Sequence, residues 1–571
     1  MAPAISNDAA ATSPPTTSNA PSSDAGSPTP ASKDASPAQL TDQTRYVKPS
    51  KIIMVFLTCS SVDLVALMDQ TTLAASLNIV SRALGAGSQS AWIAGAYFLT
   101  STSFQLLYGR LSDIFSRKTV LLACIAIFFI GSLAASLAQS APQMIAFRAL
   151  TGVGGGGLMT LAQTIVSDVV SLRDRGKYQG ILGAVVAISN GIGPIIGASL
   201  SSNGPESWRW IFRLNLPLTA LSTIAIFFAM PLKPVEGSWL MKIKLVDFFG
   251  CALTLAASTL IVLSLTWADS DYPWQSSAVI APLILGVATL GAFLLWQWKG
   301  PRFPLMPLHI FRSGLVVGAC LTMFINGWLF VTQIYYIPSF FQLAYNLSPI
   351  KSGALLLPIT LTQTISSTLS GLIVHWTGRY RESIITGWIA WAVGLGLYST
   401  MDAAHFSVGR AIGYGLLTGF GVGQTLQPSL IAIQAGVARA DMAVVTCTRN
   451  FVRNLGSVLG LAVAATLLNS SLRSSLSAVG EPSDAFVDDP VTALQGVSDP
   501  ARRAAIEDVT VRAYAAGFRR MFYLNAALAA LGCVLAVALI PQIGLERADD
   551  EALREKPKEE EKESRREGEG S

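Results

Sequence analysis

The stretch Ile52–Ser76, IIMVFLTCSSVDLVALMDQTTLAAS, runs 25 residues with two charges, Asp63 and Asp69. As a helix it would rise about 37 Å, enough to cross the roughly 30 Å hydrocarbon core of a bilayer. The carboxylates are the anomaly. A charge inside a membrane helix is costly, so it faces the protein interior or a water-filled cavity, and it marks an ion or proton pathway. The segment therefore reads as a spanning helix that carries chemistry.

The rest of the chain extends this reading. Of its 571 residues 51% are hydrophobic and 13% charged, against roughly 25% charged in a soluble domain. The charges also crowd the ends: 18 lie in 546–571 and five in 1–44, leaving 52 over 45–545. With a mean hydropathy of +0.49, a soluble multidomain enzyme is excluded. Residues 1–44, rich in Ala, Ser, Pro and Thr, have no apolar run behind a basic segment. They read as a disordered cytoplasmic tail and not a cleaved signal, so the first apolar segment serves as an uncleaved anchor. The six cysteines stand singly without CxxC spacing, and the three histidines are scattered, so neither a disulfide framework nor a metal site is expected. There is no HExxH, Cys/His pair or nucleotide loop, which argues against an enzyme, a primary pump and any cofactor. A net charge of +5 carries no nucleic-acid signature.

Apolar runs of about 19 residues predict an all-α membrane protein with fourteen spans. These lie at 52–76, 91–108, 119–138, 144–166, 179–200, 211–231, 246–266, 277–297, 314–337, 353–375, 384–400, 410–435, 450–468 and 519–540. With the N-terminus inside, the short inner loops hold 17 basic residues, from Arg110 to a last group of Arg439, Arg449 and Arg453. The short outer loops hold about five. That asymmetry places both termini in the cytoplasm. A long outer loop is expected at 469–518, and the sequon at Asn346 falls on an outer face, where chance occurrence is the simplest account of it. The C-terminal 542–571 reads as a charged cytoplasmic tail.

An internal repeat orders the spans. Gly109-Arg-Leu-Ser-Asp113-Ile-Phe-Ser-Arg117-Lys118 follows span two, and Gly371-Leu-Ile-Val-His-Trp-Thr-Gly-Arg379 follows span ten. Both put a glycine eight residues before an arginine. If spans seven and eight are an insertion (linker 233–311), residues 45–232 and 312–541 form two equivalent six-helix halves. Parallel repeats with substrate bound between them are the plan of alternating-access carriers.

Within this plan Asp69 is the candidate proton carrier, since a buried carboxylate can load and release a proton; a permanently ionised pair is the alternative. Arg148, the one basic residue inside span four, is its natural partner, or else a snorkelling residue near a helix end. Asp113 and Arg117, four apart beside Lys118, are placed to lock one face shut. Gly193, Pro194 and Gly197 suit a helix bend at a gate. Gln105, Gln163, Asn190, Asn326, Gln333, Gln363, Gln424 and Gln427 are candidates to line a cavity. The glycines from Gly152 to Gly157 read as helix packing, because no strand precedes them.

Taken in order, these segments resemble the major facilitator superfamily, and within it the fourteen-span drug:proton antiporters of fungi. The resemblance covers roughly residues 50–541. Gly109–Lys118 is similar to the family's cytoplasmic loop motif, with Ser116 in place of its second glycine. Arg148–Gly156 is similar to the fourth-span motif, with Thr151 in place of glutamine. Gly183, Gly193, Pro194 and Gly197 are similar to the antiporter motif, Asp69-Gln-Thr to the first-span motif, and Trp208–Pro217 to the entry of span six. The resemblance implies a monomeric, proton-driven exporter of hydrophobic or amphipathic compounds (drugs, toxins or secondary metabolites) at the plasma membrane. A vacuolar carrier of basic amino acids is the alternative, and a transport-dead membrane sensor a third reading. A cationic cargo would need several acidic residues in the spans, and apart from Asp63 and Asp69 they are almost absent, which favours a mostly apolar cargo.

Overall fold

The structure, a computed structural model, describes residues 49–86, 89–170, 175–201, 204, 206–230, 243–268, 272–301, 304–345, 347–401, 406–479 and 499–545. Asn346 and both tails (1–44 and from 546) lie outside them. Within the described residues run fourteen long helices. They are α1 (Pro49–Ala83), α2 (Ser90–Ile114), α3 (Arg117–Ser136), α4 (Ala141–Val169), α5 (Arg175–Ser201), α6 (Arg209–Ala229), α7 (Phe248–Trp267), α8 (Ser277–Lys299), α9 (Gly314–Tyr345), α10 (Leu357–Thr377), α11 (Arg381–Ser399), α12 (Val408–Ala435), α13 (Met442–Ser477) and α14 (Pro500–Leu539). Every predicted span falls on one of them. Ten of the fourteen are long and apolar enough to cross a bilayer; α2, α5, α11 and α12 are not among these, so length and apolarity alone do not establish fourteen crossings.

The expected long loop at 469–518 is corrected. It is helical over 469–477, where α13 continues, and over 500–518, where α14 begins. These ends pack on each other, with Leu472 and Leu476 buried on one and Ile506 and Phe518 on the other, and Arg520 donating to Ser471 at 3.3 Å. Their outward faces carry charged residues such as Arg503, Glu507 and Asp508, so a hydropathy window ends both spans early.

The local chemistry explains the helix ends. Ser116 caps α3 by accepting from the Thr119 amide at 3.3 Å, a service glycine cannot give. Asp247 caps α7 through Gly250 (2.8 Å) and also binds Trp296 and Gln297 of α8 at 2.9 and 2.7 Å, clasping α7 to α8. Gly378, with φ of +70°, ends α10 in the left-handed conformation that glycine adopts freely.

Helix packing repeats with an offset of eight helices. α1 meets α4, α5 and α6, and α9 meets α12, α13 and α14; α4 sits against α2 and α3, and α12 against α10 and α11. The two halves join through α5 with α10 and α2 with α13, the same pairing seen from each side, while α7 leans on α2 and α13. Glycines make the repeat possible. A Cβ on Gly152 or Gly156 would strike the α2 backbone, and one on Gly154 the α3 backbone. In the second half Gly419 and Gly423 meet α10, and Gly421 meets α11, in the same way. Outward faces stay apolar: Phe227 and Phe228 are 64% and 80% exposed, and only 17% of the apolar window of α8 is buried. Such surfaces are stable against lipid, not water.

Candidate functional site

Four consecutive residues of α1 grip four different neighbours. Asp69, with no exposed surface, accepts from Arg148 Nη1 of α4 at 2.7 Å and from Asn215 Nδ2 of α6 at 2.8 Å. Gln70 reaches the Tyr97 hydroxyl of α2 at 3.4 Å. Thr71 donates to Ser189 O of α5 at 3.2 Å, and a Cβ on Gly193 would run into its hydroxyl. The Thr72 carbonyl occupies the space a Cβ on Gly197 would need. Arg148, also fully buried, donates from Nε to Ile93 O at 3.3 Å and lies 4.6 Å from the Tyr97 ring centre and 5.8 Å from that of Phe212. The sequence expectation that Asp69 and Arg148 meet is matched by this geometry. Asn215 as a third member was not foreseen.

The C-terminal half performs the same packing without the charges. Asn525 of α14, in Phe522-Tyr-Leu-Asn525, stands where Phe212-Arg-Leu-Asn215 stands in α6. It donates to Thr332 at 3.2 Å and accepts from Trp328 at 3.2 Å, both on α9. α9 has no acidic residue, and when Gly419–Gly423 is aligned with Gly152–Gly156, Gly415 takes the position of Arg148. The ion pair is thus not a requirement of the architecture.

A cavity of about 160 Å³ lies between the halves. Of the eight expected lining residues, Gln105, Gln163, Gln363 and Gln427 line it, together with Asp63 and Gln70. Asn326, Gln333 and Gln424 are buried without lining it: Asn326 accepts from Arg453 at 2.9 Å, and Gln424 donates to Ser366 of α10 at 3.1 Å. The side chain of Asn190 lies outside the described residues. Across the seam Asn450 donates to Gln163 at 2.9 Å and Asn454 to Gln105 at 3.2 Å. The apolar wall includes Leu67, Phe98, Met159, Phe330, Ile334 and Leu430. Arg449 and Arg453 also line the cavity, which corrects their expected place in an inner loop: α13 begins at Met442, so both stand well inside the helix.

At the loop end of α2, Arg117 pairs with Asp113 at 2.5 Å and with Asp168 of α4 at 2.9 Å. Arg110 donates to Pro304 O at 2.7 Å. Lys118 donates to Phe227 O and Met230 O, each at 2.9 Å, at the C-terminal end of α6, where a cation meets the negative end of the helix dipole. A Cβ on Gly109 would come within 2.6 Å of Cys447 Sγ on α13, so the halves touch closely here. The expected lock between Asp113 and Arg117 is thus joined by Asp168. In α5 the helix runs without interruption through Pro194, and the neighbouring glycines serve contact with α1. The described cysteines form no disulfide.

Comparison with known proteins agrees with this architecture. The family model for the Major Facilitator Superfamily matches residues 60–461. The chain is 32% identical to the MFS-type efflux pump LUC4 of Fusarium sp., over 86% of this chain and 87% of that one. It is likewise 32% identical to Citrate exporter 1 of Yarrowia lipolytica, over 91% and 76%. Its fold is similar to that of the proton:xylose symporter XylE, with a TM-score of 0.56 at 13% identity, covering 89% of this chain and all of that one. The protein is therefore a multi-pass membrane transporter, not an enzyme, and belongs to the Major Facilitator Superfamily.

Proposed function

We propose that the protein is a proton-coupled carrier that exports amphipathic organic compounds by alternating access, with Asp69 carrying the proton and Arg148 as its charge partner. The observation that carries this reading is the asymmetry of the repeat: both halves use the same packing, and only the first places a buried ion pair in it. Replacing a buried pair by apolar groups is often neutral or stabilising, so its presence in one half favours a task other than packing.

When Asp69 is ionised, Arg148 and Asn215 clasp α1 to α4 and α6. Protonation removes the charge that Arg148 answers and weakens that clasp. The change reaches the cavity through the adjacent Gln70, which lines it, and reaches α5 through Thr71 and Thr72. The contacts of Arg117 with Asp113 and Asp168 hold one end closed in one state and part in the other. By the positive-inside distribution that end faces the cytoplasm, and the plasma membrane is the site of export. Relatives named as efflux pumps and as a citrate exporter support export of organic compounds. Against a carrier of basic amino acids stand Arg449 and Arg453 in the cavity, opposed by Asp63 alone among its lining residues.

The test uses cells lacking their own efflux pumps, loaded with a panel of fluorescent amphipathic dyes. Wild-type protein lowers accumulation, a protonophore restores it, and Asp69→Asn at equal surface abundance behaves as empty cells. Export by Asp69→Asn at the wild-type rate removes Asp69 from the mechanism.

A further inference from the structure

We infer that the cavity holds its cargo by a carboxylate, and that Arg449 and Arg453 receive it; this rests on the cavity being the cargo site. The two arginines stand one turn apart on α13, so they share a face, and both line the cavity. Neither has a carboxylate within ion-pair distance among the described residues. Arg449 donates to Leu426 O at 2.8 Å and to Asn450 Oδ1 at 3.0 Å, and its Nε is buried without a partner. Arg453 donates from Nε to Asn326 Oδ1 at 2.9 Å and lies 5.0 Å from the Phe330 ring centre. Every one of these partners is neutral.

Among the described residues Asp63 is the one acidic residue of the lining; its Oδ1 is buried without a partner, and it pairs with neither arginine. Arginine keeps its proton in proteins, and a buried charge without a counter-charge is strongly unfavourable. Arg148 is answered by Asp69; Arg449 and Arg453 are answered by no carboxylate among the described residues, so the cargo supplies the counter-charge. A carboxylate fits best, because the planar guanidinium fork matches its two oxygens. Phe330, Ile334 and Leu430 on the same cavity suit the organic body. The cargo class is an organic acid carried as its anion, its carboxylate answering the two arginines.

The experiment measures equilibrium binding to the full chain in nanodiscs, without a pH gradient, by tryptophan fluorescence. The probes are benzoate, 2-naphthoate, succinate and citrate, each beside its uncharged amide. At least one acid binds about tenfold or more tightly than its amide, the scale of a charge-assisted hydrogen bond. Arg449→Gln and Arg453→Gln each erase that preference, and Arg453→Lys keeps part of it. A preference that survives both glutamine variants overturns the assignment. Equal binding of acids and amides, lost in Ile334→Trp, overturns the carboxylate and leaves the cargo site standing. Absence of binding by all eight compounds overturns both.

Discussion

Removing one partner of the Asp69–Arg148 pair should cost far more than removing both. The carboxylate and guanidinium meet at 2.7 Å with side chains 0% and 1% exposed, so neither can turn to water. In Arg148→Met, Asp69 keeps only the Asn215 amide as a donor. In Asp69→Asn, Arg148 keeps its charge with Ile93 O and the face of Tyr97 for company. Stranding one buried charge costs about 3–5 kcal/mol, whereas replacing the pair by neutral groups is often near neutral. The double variant Asp69→Asn/Arg148→Met should therefore recover most of what either single variant loses, and fall well short of the about 6–10 kcal/mol that the two single losses sum to. The assay is thermal unfolding in nanodiscs followed by the fluorescence of the 12 tryptophans, with ranks compared because membrane proteins often unfold irreversibly. Transport is expected to be lost in all three variants, which separates the pair's task from its effect on stability. A double variant as unstable as the two losses summed would refute the reasoning, and so would transport surviving in it.

Three further outcomes follow from the packing. Gly109→Ala should slow transport without lowering abundance, because its Cβ meets Cys447 Sγ; Cys447→Ala in the same chain should restore the rate, as measured by cargo efflux. Gly197→Ala drives a methyl group into the Thr72 carbonyl and should destabilise by about 1–3 kcal/mol, while Gly191→Ala, which meets open space, stays within about 0.5 kcal/mol on the same unfolding assay. Arg117→Gln breaks the contacts to both Asp113 and Asp168, so maleimide should label Cys447 faster, in a chain whose other cysteines are replaced by alanine; unchanged labelling would remove these contacts from the gate.

What the sequence made legible was whatever hydropathy and local spacing encode. Fourteen apolar runs located fourteen helices, and the carboxylate of Asp69 and the lone guanidinium of Arg148, each in apolar surroundings, announced a need for partners. Residues whose meaning depends on a distant helix stayed hidden. Asn215 and Asp168 are ordinary polar residues until α6 meets α1 and α4 meets α3. Arg449 and Arg453 read as loop anchors because a hydropathy window cannot distinguish a basic segment at the membrane edge from one facing an internal cavity. The extensions of α13 and α14 were missed for the converse reason, since they bury their apolar residues against each other and leave charged ones outside. The glycine ladder of α12 repeats the spacing of Gly152, Gly154 and Gly156 in α4, an uncharged signature of the repeat that its charged loops do not carry.

The central claim is that cargo movement and proton movement are one process through Asp69. The most direct test puts the purified protein in liposomes with an internal proton-sensitive dye and no imposed gradient, and adds a cargo found to bind in the cavity. The account predicts proton flux opposite to the cargo in the wild-type protein and none in Asp69→Asn. Cargo movement without proton flux, or proton flux that persists in Asp69→Asn, would contradict it.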